Sequence, residues 1–343
     1  MLAITRRALA AGILALGAGG LAAQEPTTVR FSLDFKYQGV HGWYLLAQER
    51  GYFRDEGLNV VIDQGEGSAA TITRIMSGAY DAGFGDINAI SQQAALNPGQ
   101  QPVMVYQIYN RAPFVLVTKK DGPIQSVADV EGRKLGGPPG SATLRLFPAF
   151  AKLNGIDADK VEYLNFAPNL QEQMLIQGEV DGSLVFNVTS YINMVQQRQD
   201  PEADFNWFNF ADYGLDVYSN GVMVSQAMLR DKPEAVAGLV RAINRAMVES
   251  LADPDLAVAA MMKIEPLLNA DIEKLRVAYA MANLMLSDET TRLGLGDLDD
   301  ARLARAIGVI AEAYELPGKP APGDVFTRAF LPPMADRTAP VSN

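Results

Sequence analysis

The chain has 343 residues, 48% of them hydrophobic and 20% charged, with 29 basic against 40 acidic residues and a net charge of −11. That length suffices for two globular domains with apolar cores, and the composition excludes a disordered or fibrous chain. The acidic balance argues against nucleic acid and anionic membranes as partners, while the lack of cysteine excludes a thiol nucleophile, a disulfide framework, a Cys-ligated metal and a lipoprotein anchor.

At the N-terminus Arg6 and Arg7 precede the uncharged, Gly/Ala-rich stretch Ala8 to Ala23, with small residues at Gly20, Ala22 and Ala23. This pattern predicts a removable export signal over residues 1–23, since the stretch falls short of the roughly 20 strongly apolar residues of a spanning helix. Thr5-Arg6-Arg7 also resembles a twin-arginine export motif. The expected product is a free periplasmic protein beginning at residue 24.

Alternating Val29, Phe31 and Leu33 predict a first strand, followed by a helix over 41–51 and a strand over 58–62. The turn Gly65-Glu66-Gly67-Ser68 opens a helix through Met76, Gly78 closes it, and a short strand covers 82–86. Strands are expected over 102–108 and 113–117. The pattern then restarts: Gly136-Gly137-Pro138-Pro139-Gly140-Ser141 is a second glycine-rich turn before a helix, with strands over 161–166 and 183–186 and a helix over 170–177 between them. Gly78-x-x-Asp81 and Gly178-x-x-Asp181 echo one another. From Lys232 the character becomes helical, with Val236, Leu239, Val240, Ile243 and Met247 on one face.

Two successive runs of strand, Gly-turn, helix and strand predict an α/β fold with two lobes, each a sheet flanked by helices and joined by two hinge strands. The expected hinge strands are 114–119 and 217–224. They divide the chain into lobe one, 24–117 plus 222–343, and lobe two, 118–221. A cleft at the strand C-termini between the lobes is the expected ligand site.

Leu33-Asp34-Phe35, His41 and the run Gly51-Tyr52-Phe53-Arg54-Asp55-Glu56-Gly57-Leu58-Asn59-Val60 resemble the N-terminal signature of periplasmic binding proteins for nitrate, sulfonates, taurine and thiamine pyrimidine precursors. The Gly65-x-Gly67-Ser68 and Gly78-x-x-Asp81 turns continue it. The resemblance implies a type II periplasmic-binding-protein fold that closes on a small-molecule ligand, with an ABC permease and its ATPase as partners. The Leu-Asp-aromatic start, with a histidine seven positions after the Asp, is most similar to the pyrimidine-precursor branch. That branch usually carries Pro-Asn where this chain has Tyr37-Gln38.

The candidate ligand residues follow from placement. His41, the sole histidine, stands at the start of the first helix and cannot build a metal site alone. Phe35 and Tyr37 suit stacking on a flat ring, whereas Trp43 and Tyr44 are expected in the core. Ser68 and Ser141 open helices whose N-termini favour anionic groups, or simply cap them. Asp86, Asn88 and Asn187 follow short strands and offer hydrogen bonds to a ligand edge, and Asp216 and Tyr218 lie near the second hinge. No cofactor, metal or catalytic residue is expected, and the carrier is expected to be a monomer. A thiamine-type heteroaromatic ring leads among ligands. The alternatives are an aromatic carboxylate, or a sulfonate, taurine or nitrate anion; the last group would be favoured by Arg111 or Arg145 in the cleft. A pyrimidine synthase of the same fold depends on a cysteine-rich motif and iron, which this sequence does not provide.

Overall fold

The computed structural model describes residues 25–339; the expected export signal lies outside them. In chain order the strands are β1 (Thr27–Ser32), β2 (Leu58–Asp63), β3 (Ala82–Asp86), β4 (Val103–Gln107), β5 (Phe114–Lys119), β6 (Lys134–Gly137), β7 (Glu162–Asn165), β8 (Gly182–Phe186), β9 (Phe205–Asn209) and β10 (Asn220–Val224). They form two five-stranded sheets with orders β2-β1-β3-β10-β4 and β7-β6-β8-β5-β9. Each sheet has four strands running in one direction and one interior strand, β10 or β5, that runs antiparallel to both neighbours. With helices on their faces, these sheets make the two-lobed binding-protein fold.

The echo at Gly78 and Gly178 is a true structural repeat. Both glycines have φ of +75°, the left-handed conformation that ends a helix. The carboxyl groups of Asp81 and Asp181 then accept from the backbone N–H of Arg30 and Lys134, each at 2.9 Å, at the edge of the neighbouring parallel strand. One device thus fixes β3 beside β1 and β8 beside β6.

Strand pairing moves the expected lobe boundaries. Phe114 to Lys119 pairs wholly within the second sheet, and Asn220 to Val224 wholly within the first. The chain therefore crosses at 108–113 and 210–219, not inside those strands. The two crossings bond to each other: Ile108 and Tyr109 N–H donate to the Asn220 carbonyl at 3.2 and 2.8 Å, and Ser219 N–H donates to the Tyr109 carbonyl at 3.2 Å.

The helix Pro233–Ala252 buries Val236, Leu239, Val240, Ile243 and Met247 against the first sheet, as its spacing predicts. The helix Asp300–Ala313 departs from the expected division. It packs Leu303 and Ile307 with Ile72 and Ile90 of the first lobe, yet Ala306 and Ile310 with Phe147 and Phe150 of the second. Two apolar stripes on one helix make it span both lobes. Among the described residues no helix is long and apolar enough to cross a membrane.

Candidate functional site

A pocket lies where the two sheets' C-terminal ends meet. Its walls are the 34–41 segment after β1, the Gly67–Ser68 turn, Tyr109 of the first crossing, the Pro138–Ser141 turn, Gln171, and the 185–189 segment at the end of β8. The space inside it that a water-sized sphere can reach is about 30 Å³, room for about one water molecule, so the two walls stand close together.

The polar floor is a chain of committed bonds. Asp34 Oδ1 meets His41 Nε2 at 2.8 Å, and Oδ2 accepts from Asn220 Nδ2 at 2.7 Å. His41 Nδ1 accepts from the backbone N–H of Gln38 at 3.2 Å. Because Nδ1 already faces a donor, this pattern assigns the ring proton to Nε2, which donates to Asp34. Across the cleft Thr189 donates to Gln38 Oε1 at 3.2 Å, and Ala69 N–H donates to the Gly140 carbonyl at 3.2 Å, so the lobes touch on both sides of the pocket.

Phe35, Tyr109 and Phe186 supply the aromatic surface. Tyr109 is held edge-on to Phe84 at 5.4 Å, and burial raises its phenol well above the usual range. Ser68 and Ser141 stand at the starts of helices Ser68–Met76 and Ala142–Leu153, and Ser141 makes no side-chain capping bond. Two buried hydroxyls therefore face the pocket from opposite lobes. No Lys or Arg is among the residues lining it. Arg111 instead reaches the Ala282 carbonyl and Arg145 that of Pro139.

Of the residues singled out from sequence, the structure brings Phe35, His41, Ser68 and Ser141 together around this pocket. The others stand elsewhere. Tyr37 turns outward, its hydroxyl donating to the Ile62 carbonyl at 3.3 Å. Asp86 caps the helix Ile87–Leu96 by accepting from Ala89 N–H, and Asn88 donates to Asp86 and to the Tyr218 carbonyl. Asn187 opens the helix Asn187–Gln196 and spends its carbonyl on the N–H of Val188. Asp216 pairs with Arg302 at 2.8 Å. Tyr218 is fully buried behind the crossings, where its hydroxyl donates to Glu289 and accepts from Asp299 N–H beneath the Arg302 guanidinium. Trp43 and Tyr44 lie in the core, as expected. Gln38, Tyr109, Gln171, Phe186 and Thr189 were missed. They come from crossings and helix starts whose meeting depends on long-range pairing.

Burial pushes the Asp86 carboxyl up to about 7, against the opposing bonds from Asn88 and Ala89. With the folded pKa above the ordinary carboxylate value, the protonated group's contribution is complete at low pH and is lost as pH rises through about 7. Asp86→Asn turns one of the two acceptors into a donor at every pH, so it is expected to fall further below the parent's melting temperature at pH 4 than at pH 8, where the parent has lost this contribution. Parallel melting curves at the two pH values check this.

The family model described as NMT1/THI5 like matches residues 38–257. The chain belongs to the NMT1/THI5-like family. Among relatives of this family member, the riboflavin-binding protein RibY of Chloroflexus aurantiacus is 25% identical over 299 residues, covering 84% of this chain and 82% of that one. The formylaminopyrimidine-binding protein of Halalkalibacterium halodurans is 26% identical over 243 residues, with 68% and 70% covered. A 4-amino-5-hydroxymethyl-2-methylpyrimidine phosphate synthase of Aspergillus parasiticus is 23% identical, with 72% and 73% covered. In three dimensions the alkanesulfonate-binding protein of Xanthomonas axonopodis pv. citri, bound to MOPS, superposes with a TM-score of 0.65 at 13% identity, covering 89% of this chain and 100% of that one. That likeness speaks for the fold.

Proposed function

We propose that this chain is the periplasmic solute-binding component of an ABC importer, and that it closes on a small, flat heteroaromatic ligand such as a pyrimidine precursor of thiamine. The observation that carries the ligand class is the pocket lining: Phe35, Tyr109 and Phe186 with neutral polar groups, and no cation. A sulfonate or nitrate would be held there without a positive charge. A ring presenting N–H and ring-nitrogen groups finds the Gln38 and Gln171 amides and two serine hydroxyls. The relatives named for riboflavin and formylaminopyrimidine support heteroaromatic binding.

The synthases among the relatives do not bring their activity here. The chain has no cysteine and a single histidine, and both ring nitrogens of that histidine are engaged. In this reading the protein acts as a monomeric carrier that hands its ligand to a permease driven by an ATPase.

The test is a thermal-shift screen of residues 24–343 against pyrimidines, flavins, aromatic acids, sulfonates and nitrate. A ligand at 100 times its Kd adds about 2.7 kcal/mol to stability, which a melt resolves. Pyrimidines are expected to raise the melting temperature, and Phe35→Ala is expected to remove the shift while the unliganded protein stays folded. A response confined to sulfonates or nitrate would overturn the heteroaromatic assignment.

A further inference from the structure

Arg276 lies on the helix Ala270–Ala280, far along the chain from the pocket, yet it is 1% exposed. Its guanidinium has five N–H groups, and the structure gives all of them acceptors. Nε donates to Glu273 Oε2 at 2.9 Å and Nη2 to Glu273 Oε1 at 3.3 Å. The remaining donors cross the cleft: Nη1 reaches the carbonyls of Val188 and Thr189, both at 3.0 Å, and Nη2 reaches Asn193 Oδ1 at 2.8 Å.

Glu273 in turn accepts from the backbone N–H of Gly39 at 2.6 Å. That approach requires glycine, because a Cβ at position 39 would stand 2.8 Å from the Glu273 carbonyl and 2.9 Å from Val277. One buried ion pair therefore holds the segment that carries Gln38, Val40 and His41 on one side and Val188 and Thr189 on the other, which are facing walls of the pocket. One turn further along the helix, Tyr279 lies against Tyr191 of the same opposing helix with ring centroids 5.4 Å apart.

We infer that Arg276 and Glu273 form a closure latch, a pair of positioning residues that ties the two pocket walls together when the lobes close. Bonds from Arg276 to Val188, Thr189 and Asn193 exist only with the lobes in contact, whereas the Arg276–Glu273 and Glu273–Gly39 bonds stay within the first lobe's side. Opening thus costs a buried guanidinium three of its five acceptors. A bond set made across a hinge in one state biases that state, and losing one partner of a buried charged pair acts chiefly on dissociation. The inference concerns closure and is independent of which ligand the pocket takes.

The experiment uses the absence of native cysteine. Spin labels at Leu267→Cys, 93% exposed on the first lobe's side, and Asp121→Cys on the second report the interlobe distance in the unliganded protein. Arg276→Met is expected to move the distance distribution toward longer values, depleting the closed population about tenfold or more. Asn193→Ala, which leaves the buried ion pair intact, is expected to shift it the same way by less, and Arg276→Lys to restore part of it. Circular dichroism melts establish that each variant is folded, and Asn193→Ala carries the test if Arg276→Met is not. A folded variant with the parent's distance distribution would overturn the latch and leave the pair a local structural support.

Discussion

Gly140→Ala is expected to hold the two lobes apart and weaken ligand binding about 100-fold, with little change in the melting temperature of the unliganded protein. A Cβ at position 140 would lie 2.6 Å from the Glu66 carbonyl and 2.9 Å from the Ala70 side chain, both across the cleft. These are backbone and short side-chain atoms, so nothing flexible can yield. The substituted residue itself is unstrained, because Gly140 is not among the glycines of positive φ. Gly67 faces it, and a Cβ there would stand 2.0 Å from the Gly140 carbonyl, but its φ of +130° adds a local penalty that makes Gly140 the cleaner site. If the closed form binds ligand and its population falls to about one part in a hundred, the apparent Kd rises by the same factor. Titration calorimetry with the pyrimidine that raises the melt measures it. Parent affinity in Gly140→Ala would mean that the liganded lobes do not meet at these glycines.

The sequence made some of this legible because local chemistry settled it. The helix Ser68–Met76 and the strand Ala82–Asp86 have the boundaries that the Gly67-Ser68 turn, the Gly78 stop and the buried run dictate. The two Gly-x-x-Asp turns, read from spacing alone, proved to be the same strand-locking device in each lobe. Where a polar residue follows a buried strand, spacing could not separate two fates. Spacing offers Asp86 and Asn187 as ligand contacts, but in both lobes the strand passes into a helix without a loop, and those residues open it. The helices Ile87–Leu96 and Asn187–Gln196 were missed for the same reason, since no turn residues announce them.

Phe186 and Tyr109 reach the pocket only because β5 and β10 enter their sheets antiparallel from the opposite lobe, long-range pairings such as Phe114 with Phe186 and Asn220 with Asp86 that no local pattern encodes. Thr189 meets Gln38 across 151 positions, and Arg276 meets Val188 across 88. Such contacts are what closure creates, so a reading by segments finds the walls and not the clasp between them.

Asp34 is the point where the local and the long-range parts join, and Asp34→Asn tests that join. The residue is 5% exposed, and its two oxygens each serve one buried donor, His41 Nε2 from the neighbouring loop and Asn220 Nδ2 from the start of β10. An amide keeps the shape but turns one acceptor into a donor, so one of the two partners must face N–H against N–H. Neither can adapt freely. If His41 moved its proton to Nδ1, that proton would meet the Gln38 backbone N–H. If Asn220 rotated its amide, it would give up the bond its Oδ1 accepts from Ser219. Leaving a buried donor unpaired costs about 1–3 kcal/mol, and the loss falls on the segment that carries Phe35 and Gln38 into the pocket. Asp34→Asn is therefore expected to lower the urea midpoint measurably and to abolish the ligand-induced thermal shift. Asn220→Ala, which removes one donor and leaves the carboxylate to His41, is expected to be milder on stability. A melt and a ligand response in Asp34→Asn equal to the parent's would show that the carboxylate does not organise the pocket floor.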